Sequence, residues 1–454
     1  MKLLESKIFD GINSILNFFQ NKLVIITNNS FLLSNLNFFI LISIIATFIV
    51  SIFAQTNIIG AVSFCVPVFV VTKVLLTKGE KIELEKCNFY LLMYLVVCFI
   101  TNFTSSMPFQ SLYGFMKTLI YFAFYFALCQ FLKNNKKYIV LLLFLIATLV
   151  SIESIIGLIQ NYVRVENIST WQDTSYVNPE HVLSRVYGTL QPFNPNLLGG
   201  YLIAGISSIL AVMSFLFQNK KVKSGVIALA CFLVSSLAIF LTGCRGAYLS
   251  LFVIINGIVL ASFQIIFYDF KNTKLKNIWK TLIAFCGVGG VFFMFLNQGI
   301  FRRLMSIFIL RGDSSTSFRM NVYNSAIQMF QDNWLCGIGV GNKVFREIYG
   351  LYMLSGFDAL SCYCVFLEIA VESGIFALIT YLLFIGSLLT VAVKKFLNSN
   401  NLQYKVLLFV TFISIVSVMF HGLFDTIYFR PQIQYIFWTM AAILTVLIRE
   451  EKAE

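Results

Sequence analysis

Twelve windows of almost unbroken apolar sequence limit what this chain of 454 residues can fold into. A helix needs about 20 consecutive apolar residues to cross a bilayer, and most of these windows reach that length. Apolar side chains make up 59% of the chain and charged ones 12%, which excludes a soluble globular enzyme, a disordered chain and a collagen-like chain. We therefore predict an all-α, polytopic integral membrane protein with about 12 transmembrane helices. The windows are 31–54, 58–76, 89–103, 114–132, 138–160, 196–217, 225–243, 246–267, 279–296, 365–392, 405–424 and 431–448.

Residues 1–20 place apolar side chains on one helical face and charges on the other, so residues 1–30 are predicted to be a cytoplasmic amphipathic segment on the membrane surface. The alternative is a plain start to the first membrane helix. Two connectors are long, and both are predicted to be extracytoplasmic loops, where function usually lies. The predicted organisation is helices 1–5 at 31–160, a loop at 161–195, helices 6–9 at 196–296, a large loop at 297–364, helices 10–12 at 365–448 and a cytoplasmic tail at 449–454.

Lysine and arginine are distributed differently along the chain. Short cytoplasmic loops retain basic residues, and the lysine-rich connectors alternate with connectors that have none, so both termini are predicted to be cytoplasmic. Of the twenty-three lysines, only Lys343 is predicted outside, and Lys117 lies within a span. Of the ten arginines, only Arg449 is predicted inside. Guanidinium grips phosphate or carboxylate bidentately, so this distribution favours recognition of an anionic, phosphorylated group outside. The alternative is that long loops escape the charge rule and carry arginine by chance.

Two arginines stand in unusual local sequences near predicted helix ends. Arg185 belongs to LSRVYGTLQPFNPNLLGGY and precedes a turn formed by Asn194, Pro195 and Asn196. Asparagine and proline are sufficient as turn and cap, whereas the arginine has no structural need. Arg245, in LTGCRGAYL, lies between two apolar spans with almost no loop around it. An isolated charge at that depth indicates a functional site, the alternative being an arginine that extends to the interface.

The segment SFRMNVYNSAIQMFQDNWLCGIGVGN carries a third arginine. Ser317 is predicted to cap a helix that places Arg319 in its first turn, where backbone amides favour a bound anion. Tyr323 follows on the same helix. Three glycines come next, without the preceding strand that a nucleotide-binding fingerprint requires, so we interpret them as a tight structural turn. They are Gly337, Gly339 and Gly341.

Titratable pairs occur in two of the late spans. Glu368 and Glu372 are four residues apart and share a helical face. They are able to pair with external arginines, bind a cation or relay protons, and we favour the pairing with arginine. His421 and Asp425 are also four residues apart. They represent either a base with its orienting partner or a hydrogen-bonded structural pair between helices, and we favour the structural pair.

The cysteines and histidines give no sign of a metal site. Ten cysteines are scattered without a CxxC motif, and the two histidines, His181 and His421, are distant in sequence. A disulfide among the three predicted external cysteines is possible, but their spacing does not indicate one. We expect no metal, no cofactor and no nucleic-acid partner. The three cysteines are Cys336, Cys362 and Cys364.

Several of these motifs, in this order, resemble the O-antigen ligase/polymerase (Wzy-type) superfamily of bacterial membrane proteins. The resemblance covers about residues 180–440 and rests on Arg185 with its NPN turn, CRGA, the Arg319 helix followed by GIGVGN, VESGI and HGLFD. It implies a multi-pass protein of the bacterial cytoplasmic (inner) membrane. Such proteins transfer a glycan from undecaprenyl diphosphate to a glycan or lipid acceptor, with inversion and without a metal. By matching motifs, Arg245 and Arg319 hold the diphosphate, and Arg185 is a further candidate.

The chain departs from the ligases at one position. Ligases resembling it carry a His-Asn pair before the tenth span, where this chain has Ser361 and Cys362. The stretch from GNKVFREIYG to VESGI is more similar to a superfamily branch proposed to transport bicarbonate for inorganic-carbon accumulation. Three functions therefore stay open: a glycan transferase, which we favour; a small-anion transporter with Arg245 as anion site and Glu368 and Glu372 as coupling groups; and a scaffold without catalysis. In the transferase, the weak candidates for acceptor deprotonation are Glu372, Glu368, Asp358 and His181.

Overall fold

The structure is a computed structural model that describes residues 11, 13–18, 20, 31–78, 80–82, 85–163, 185–296, 314–354 and 358–449. These residues form helices joined by short connectors, and no strand occurs among them. A short helix, Phe31–Ser34, precedes α1, α8 continues as a π-helical turn, Ile265–Phe270, and a 3-10 helix, Ile427–Phe429, precedes α14. The helices are α1 Leu36–Phe53, α2 Thr56–Leu76, α3 Lys86–Thr104, α4 Pro108–Asn134, α5 Lys137–Val163, α6 Pro195–Gln218, α7 Val222–Leu241, α8 Arg245–Gln264, α9 Thr273–Leu296, α10 Ser314–Asp332, α11 Asn342–Tyr352, α12 Val365–Asn398, α13 Leu402–His421 and α14 Pro431–Arg449.

Eleven of the described helices are long and apolar enough to cross a membrane, namely α1 to α8 and α12 to α14. The predicted all-α, polytopic membrane protein is therefore confirmed. Helix α9 covers the ninth predicted window, 279–296, and is additional to these eleven. The predicted amphipathic segment 1–30 is described at only a few positions. Among them, Gln20 is buried and donates hydrogen bonds to the carbonyl oxygens of Val74 and Glu80, at 2.8 Å and 3.0 Å.

Helix α14 lies at the centre of the bundle. Every residue from Pro431 to Ile448 is buried, and the helix packs against α4, α6, α12 and α13. Its sequence is the least hydropathic of the eleven spans, because it carries glutamines and threonines. Buried polar groups need partners. The indole of Trp438 donates to Gln434 at 2.5 Å, and the hydroxyls of Tyr125 and Thr445 lie 2.8 Å apart.

The connectors of the bundle form two chemically different ends. At the lysine end, which comprises the connectors after α2, α4, α6, α8 and α12, Lys405 pairs with Asp269 at 2.5 Å and Arg449 with Glu85 at 3.4 Å. At the arginine end, which comprises the connectors after α3, α5, α7 and α13, lie Arg185 and Arg430. The structure thus places most of the described lysines and most of the described arginines at opposite ends, with Arg449, Lys117 and Lys343 as exceptions. That the lysine end faces the cytoplasm stays a prediction.

The described part of the predicted loop 297–364 is largely helical and forms a cap at the arginine end. Helices α10 and α11 and residues 358–364 enclose a small apolar core of their own. The cap packs against α4 and α12. Ser325 fixes the two cap helices by donating to the carbonyl of Tyr352 at 2.8 Å. The core side chains include Val322, Ala326, Met329, Val344, Phe345 and Tyr349.

The glycine run occupies a break in a membrane helix. Helix α12 has a non-helical residue, Gly374, with φ +78° and ψ 179°. The amide of Gly339 donates to the carbonyl of Glu372 at 3.0 Å, and that of Ile375 donates to Trp334 at 2.8 Å. The loop 337–341 therefore satisfies backbone groups that the break exposes. All three loop glycines have positive φ, which agrees with the predicted tight turn.

Candidate functional site

Arg185 is held against the connector between α7 and α8. Its Nε donates to the carbonyl of Thr242 at 2.7 Å, and a terminal nitrogen donates to the side-chain oxygen of Asn196 at 2.6 Å. Gly243, with φ +67°, leaves room for this side chain, because a Cβ there would lie 2.8 Å from Arg185 Nε. Both acceptors are neutral, so this hydrogen bonding leaves the positive charge of Arg185 in place.

Asn196 links Arg185 to Asp425. Its Nδ2 donates to Asp425 Oδ2 at 3.1 Å, while Asn194 caps α6 by accepting from the Asn196 amide at 2.8 Å. The NPN turn therefore performs the predicted capping and also positions a side chain in the site. The same Asp425 oxygen lies 3.5 Å from a terminal nitrogen of Arg319. One carboxylate oxygen thus contacts Arg319 directly and is linked to Arg185 through Asn196.

Arg319 enters the site from the cap. It donates to the carbonyl of Phe424 at 3.0 Å, and its guanidinium lies 5.3 Å from the ring centre of Tyr363. The hydroxyl of Tyr323 donates to the Tyr363 carbonyl at 3.3 Å. Stacking on an aromatic ring and an ion pair orient the guanidinium plane. The predicted position of Arg319 in the first helical turn is wrong, because α10 begins at Ser314, so the argument from the helix N-terminus does not apply.

Arg245, Arg185 and Arg319 converge at this end of the bundle. Arg185 contacts Thr242 and Gly243 in the connector that leads directly into Arg245, and Asn196 and Asp425 join Arg185 to Arg319. Burial lowers the pKa of Arg185. Arg245 is the first residue of α8 and is half-buried. Three guanidinium groups gathered from a connector, a membrane helix and the cap form an anion-binding environment. We call these residues, with Asn196 and Asp425, the arginine cluster.

The comparisons with known proteins bear on two members of this cluster. Residues 229–382 match the family model Wzy_C, O-antigen ligase. The Wzy_C segment runs from within α7 to within α12 and includes Arg245 and Arg319, whereas Arg185, Asn196 and Asp425 lie outside it. The match supports a membrane glycan ligase/polymerase family and a multi-pass bacterial membrane protein. The comparison with curated proteins gives no match.

His421 packs beside the Wzy_C segment at the end of α13. Its Nε2 lies 3.5 Å from the Cys244 sulfur, and its Nδ1 is buried without a hydrogen-bond partner among the described residues. The side chain of Asp425 bonds instead to Asn196 and to its own neighbour, accepting from the Thr426 amide at 2.8 Å. The favoured pairing of His421 with Asp425 is therefore wrong. The two residues are joined only through backbone, by an Asp425 amide that donates to the His421 carbonyl at 3.2 Å.

Glu368 and Glu372 lie inside α12 within the Wzy_C segment, and both are buried. Glu368 accepts from the amide of Cys362 at 3.2 Å, so its carboxylate joins the cap to α12. The backbone carbonyl of Glu372 accepts from the Gly339 amide at 3.0 Å. Neither carboxylate forms an ion pair with an arginine among the described residues, and since Arg164, Arg302, Arg303 and Arg311 lie outside them, the pairing with an external arginine stays a prediction.

The other residues considered for deprotonation of the acceptor do not lie inside α12. Asp358 is exposed and forms an ion pair with Arg346, on the surface of the cap. His181 lies outside the described residues. Ser361, at the position of the ligase histidine, has its hydroxyl 2.5 Å from that of Thr426. Since Thr426 follows Asp425 directly, Ser361 borders the arginine cluster. All ten cysteines are free, so the possible external disulfide is not formed.

Sequence reasoning missed Glu153 and Tyr363. Glu153 is buried in α5 and accepts hydrogen bonds from the amide and hydroxyl of Thr189, while Gln160 accepts from the Gly188 amide at 2.9 Å. These bonds fix the segment that leads from Arg185 to α6. A single carboxylate within an apolar span was the signal available for Glu153, because such residues are rarely without a role. Tyr363 carried no such signal, since its contact with Arg319 depends on the folding of the cap.

Proposed function

We propose that the protein transfers a glycan from an undecaprenyl-diphosphate-linked donor to a glycan or lipid acceptor at the membrane face formed by the arginine end. The observation that supports this most is the network that joins Arg185 through Asn196 and Asp425 to Arg319, beside the connector that leads into Arg245, because guanidinium groups bind diphosphate bidentately. Two of the three lie in the segment that matches the O-antigen ligase family model. The donor, the inversion of configuration and the face of the membrane belong to this proposal.

In the proposed reaction, an acceptor hydroxyl oxygen forms a bond to the anomeric carbon while the bond from that carbon to the diphosphate breaks. The electron pair leaves with the diphosphate, and the acceptor proton passes to water or to a carboxylate. Arg245 and Arg319 stabilise the charge that develops on the leaving group, an effect that is large where water is excluded. The acceptor attacks from the opposite face, so the configuration inverts.

Deprotonation of the acceptor is a minor requirement in this scheme. Glu368 and Glu372 are buried behind the segment 358–364, and Asp358 is engaged with Arg346 on the surface. Ser361 and Thr426 border the cluster, but their hydroxyls have no base of their own among their described contacts. We therefore assign most of the rate enhancement to stabilisation of the diphosphate and little to proton abstraction.

Removal of the protein from its native host tests the proposal. We expect diphosphate-linked glycan to accumulate and the surface polysaccharide to become shorter or disappear, as measured by mass spectrometry of lipid extracts and by gel analysis of the polymer. Expression of the wild-type chain is expected to restore both. Unchanged lipid-linked and surface glycans would contradict the transferase, and reduced uptake of radiolabelled bicarbonate in the same strain would favour the transporter branch.

Asp425→Asn tests the role of the shared carboxylate. Loss of its charge removes the ion pair with Arg319, while the amide keeps a similar shape and an oxygen that accepts from Asn196. A hydrogen bond to a charged group contributes about 1.5–3 kcal/mol, so we expect the rate of glycan transfer by purified protein to fall roughly tenfold or more. Asp332→Asn is the matched control, because Asp332 is an exposed carboxylate of the cap that bonds to Tyr352. Equal rates for the two variants would show that Asp425 does not position Arg319.

A further inference from the structure

Two lysines that depart from the lysine distribution of the rest of the chain have their ammonium groups near the ring of one tyrosine. Lys117 and Lys343 are the two that the predicted topology does not assign to the cytoplasmic side. In the structure, the Nζ of Lys117 lies 4.6 Å from the ring centre of Tyr113, and that of Lys343 lies 5.9 Å from it. The hydroxyl of Tyr113 donates to the side chain of Asn57 at 3.5 Å, which limits the movement of the ring. Residues 57, 113 and 117 belong to membrane helices, and residue 343 belongs to the cap.

This site lies on a largely exposed face of α4, beside Asn57 of α2 and Lys343 of the cap. Side chains at intervals of three and four residues along the first turns of α4 are exposed, and that spacing defines one helical face. Large apolar side chains on the surface of a membrane helix contact lipid chains. A charged side chain on such a face extends its ammonium group toward the headgroup region. The exposed side chains of this face are Phe109, Leu112, Tyr113, Met116 and Lys117.

The two ammonium groups have no acidic partner in the described part of the chain, and both side chains are exposed. Because the two ammonium groups lie 4.6 Å and 5.9 Å from the same ring centre, both attract an anion bound beside that ring. An ammonium group binds a single phosphate as a point charge, whereas the arginine cluster offers planar forks. The pair is therefore suited to one phosphodiester with attached acyl chains.

We propose that Lys117, Lys343 and Tyr113 bind the headgroup phosphate of an anionic phospholipid in the leaflet at the arginine end. The acyl chains lie along Leu112 and Met116. This site is separate from the arginine cluster, which is built from α6, α8, α10, the connectors before α6 and α8 and the connector between α13 and α14. It does not depend on the proposed transferase function, because binding of a structural lipid needs no reaction.

Native mass spectrometry of the purified chain in detergent, with added phosphatidylglycerol or phosphatidylethanolamine, tests the site. Wild-type protein is expected to retain phosphatidylglycerol preferentially. Since each lysine near an anionic lipid contributes to binding, Lys117→Gln with Lys343→Gln is expected to lower that retention roughly tenfold or more. The matched control is Lys221→Gln with Lys223→Gln, two exposed lysines at the lysine end. Replacement of both site lysines by arginine is expected to preserve most of the binding.

Three results would overturn the proposal. They are equal retention of the two lipids by wild-type protein, unchanged retention of phosphatidylglycerol in the double glutamine variant, and equal losses in the site and control variants. Undecaprenyl diphosphate serves as a competitor. If it displaces phosphatidylglycerol from wild-type protein at equal concentration and fails to bind the double variant, the lipid-linked donor occupies the site instead. Should the double variant be polydisperse, Lys117→Gln and Lys343→Gln are measured singly, each with an expected loss of several-fold.

Discussion

Arg319→Lys is expected to lower the rate of glycan transfer by about 10²–10³-fold, the range found when one preorganised donor to a developing anion is lost. Lysine keeps the positive charge but lacks the planar fork that bonds the Phe424 carbonyl, faces Asp425 and stacks on Tyr363. The substitution is therefore expected to change the orientation of the cationic group more than its charge. Transfer from a purified diphosphate-linked donor, followed in detergent, measures it.

Arg245→Lys is expected to produce a loss of similar size, because Arg245 begins α8 directly after the connector that Arg185 contacts. Arg346→Lys is the matched control. Arg346 is an exposed arginine of the cap that pairs with Asp358, and its replacement is expected to change the rate by less than about twofold, as is usual for surface ion pairs. If the two cluster variants retain the rate of the control, the arginines do not hold the leaving group. The transporter or the scaffold would then be the better hypothesis.

Gly374→Ala is expected to destabilise the protein by at least about 3 kcal/mol and to lower its amount in the membrane. The residue has φ +78° and ψ 179°, a conformation that side chains other than glycine rarely adopt. A Cβ there would also overlap the backbone of Leu335 in the cap. The substitution therefore affects the break in α12 and the cap that fills it. Thermal unfolding in detergent and quantitative membrane blots measure the effect.

Gly386→Ala is the control within the same helix. Gly386 is exposed, and a Cβ at that position meets nothing within 4 Å. Since alanine favours helix over glycine by about 0.8–1.0 kcal/mol in a helix interior, the control is expected to keep or slightly raise stability. Equal unfolding temperatures for the two variants would contradict the strained break at Gly374.

Much of the architecture follows from local sequence properties. The apolar windows coincide with most of the membrane helices, because a bilayer admits only segments that satisfy their own backbone hydrogen bonds. The breaks between windows also located Arg185 and Arg245, since a charge beside an apolar span stands out. One long window, 365–392, was misleading, because α12 is interrupted at Gly374 although apolar sequence continues on both sides of the break.

The individual contacts of the site were harder to predict from the sequence. Spacing favoured a pairing of His421 with Asp425, which was wrong, and a pairing of Glu368 with an external arginine, which is not found among the described residues. Spacing shows which side chains share a face, but the partner on another helix decides the bond. His421 meets Cys244, and Glu368 meets the Cys362 amide. Neither contact can be predicted from spacing. The first joins two segments that are distant in the sequence, and the second folds a loop back onto the helix that follows it.

The sequence by itself determined that the chain is a helical membrane protein, that its basic residues are sorted by type, and which arginines deserve attention. Hydropathy and charge are properties of single residues and short windows, so they can be determined from the sequence without any knowledge of the fold. Only the tertiary structure decided that Asp425 serves Arg319 directly and Arg185 through Asn196, that Tyr363 stacks on Arg319, and that two exceptional lysines share Tyr113. Those relations depend on how helices and the cap pack together, and packing is set by shape complementarity across the whole bundle.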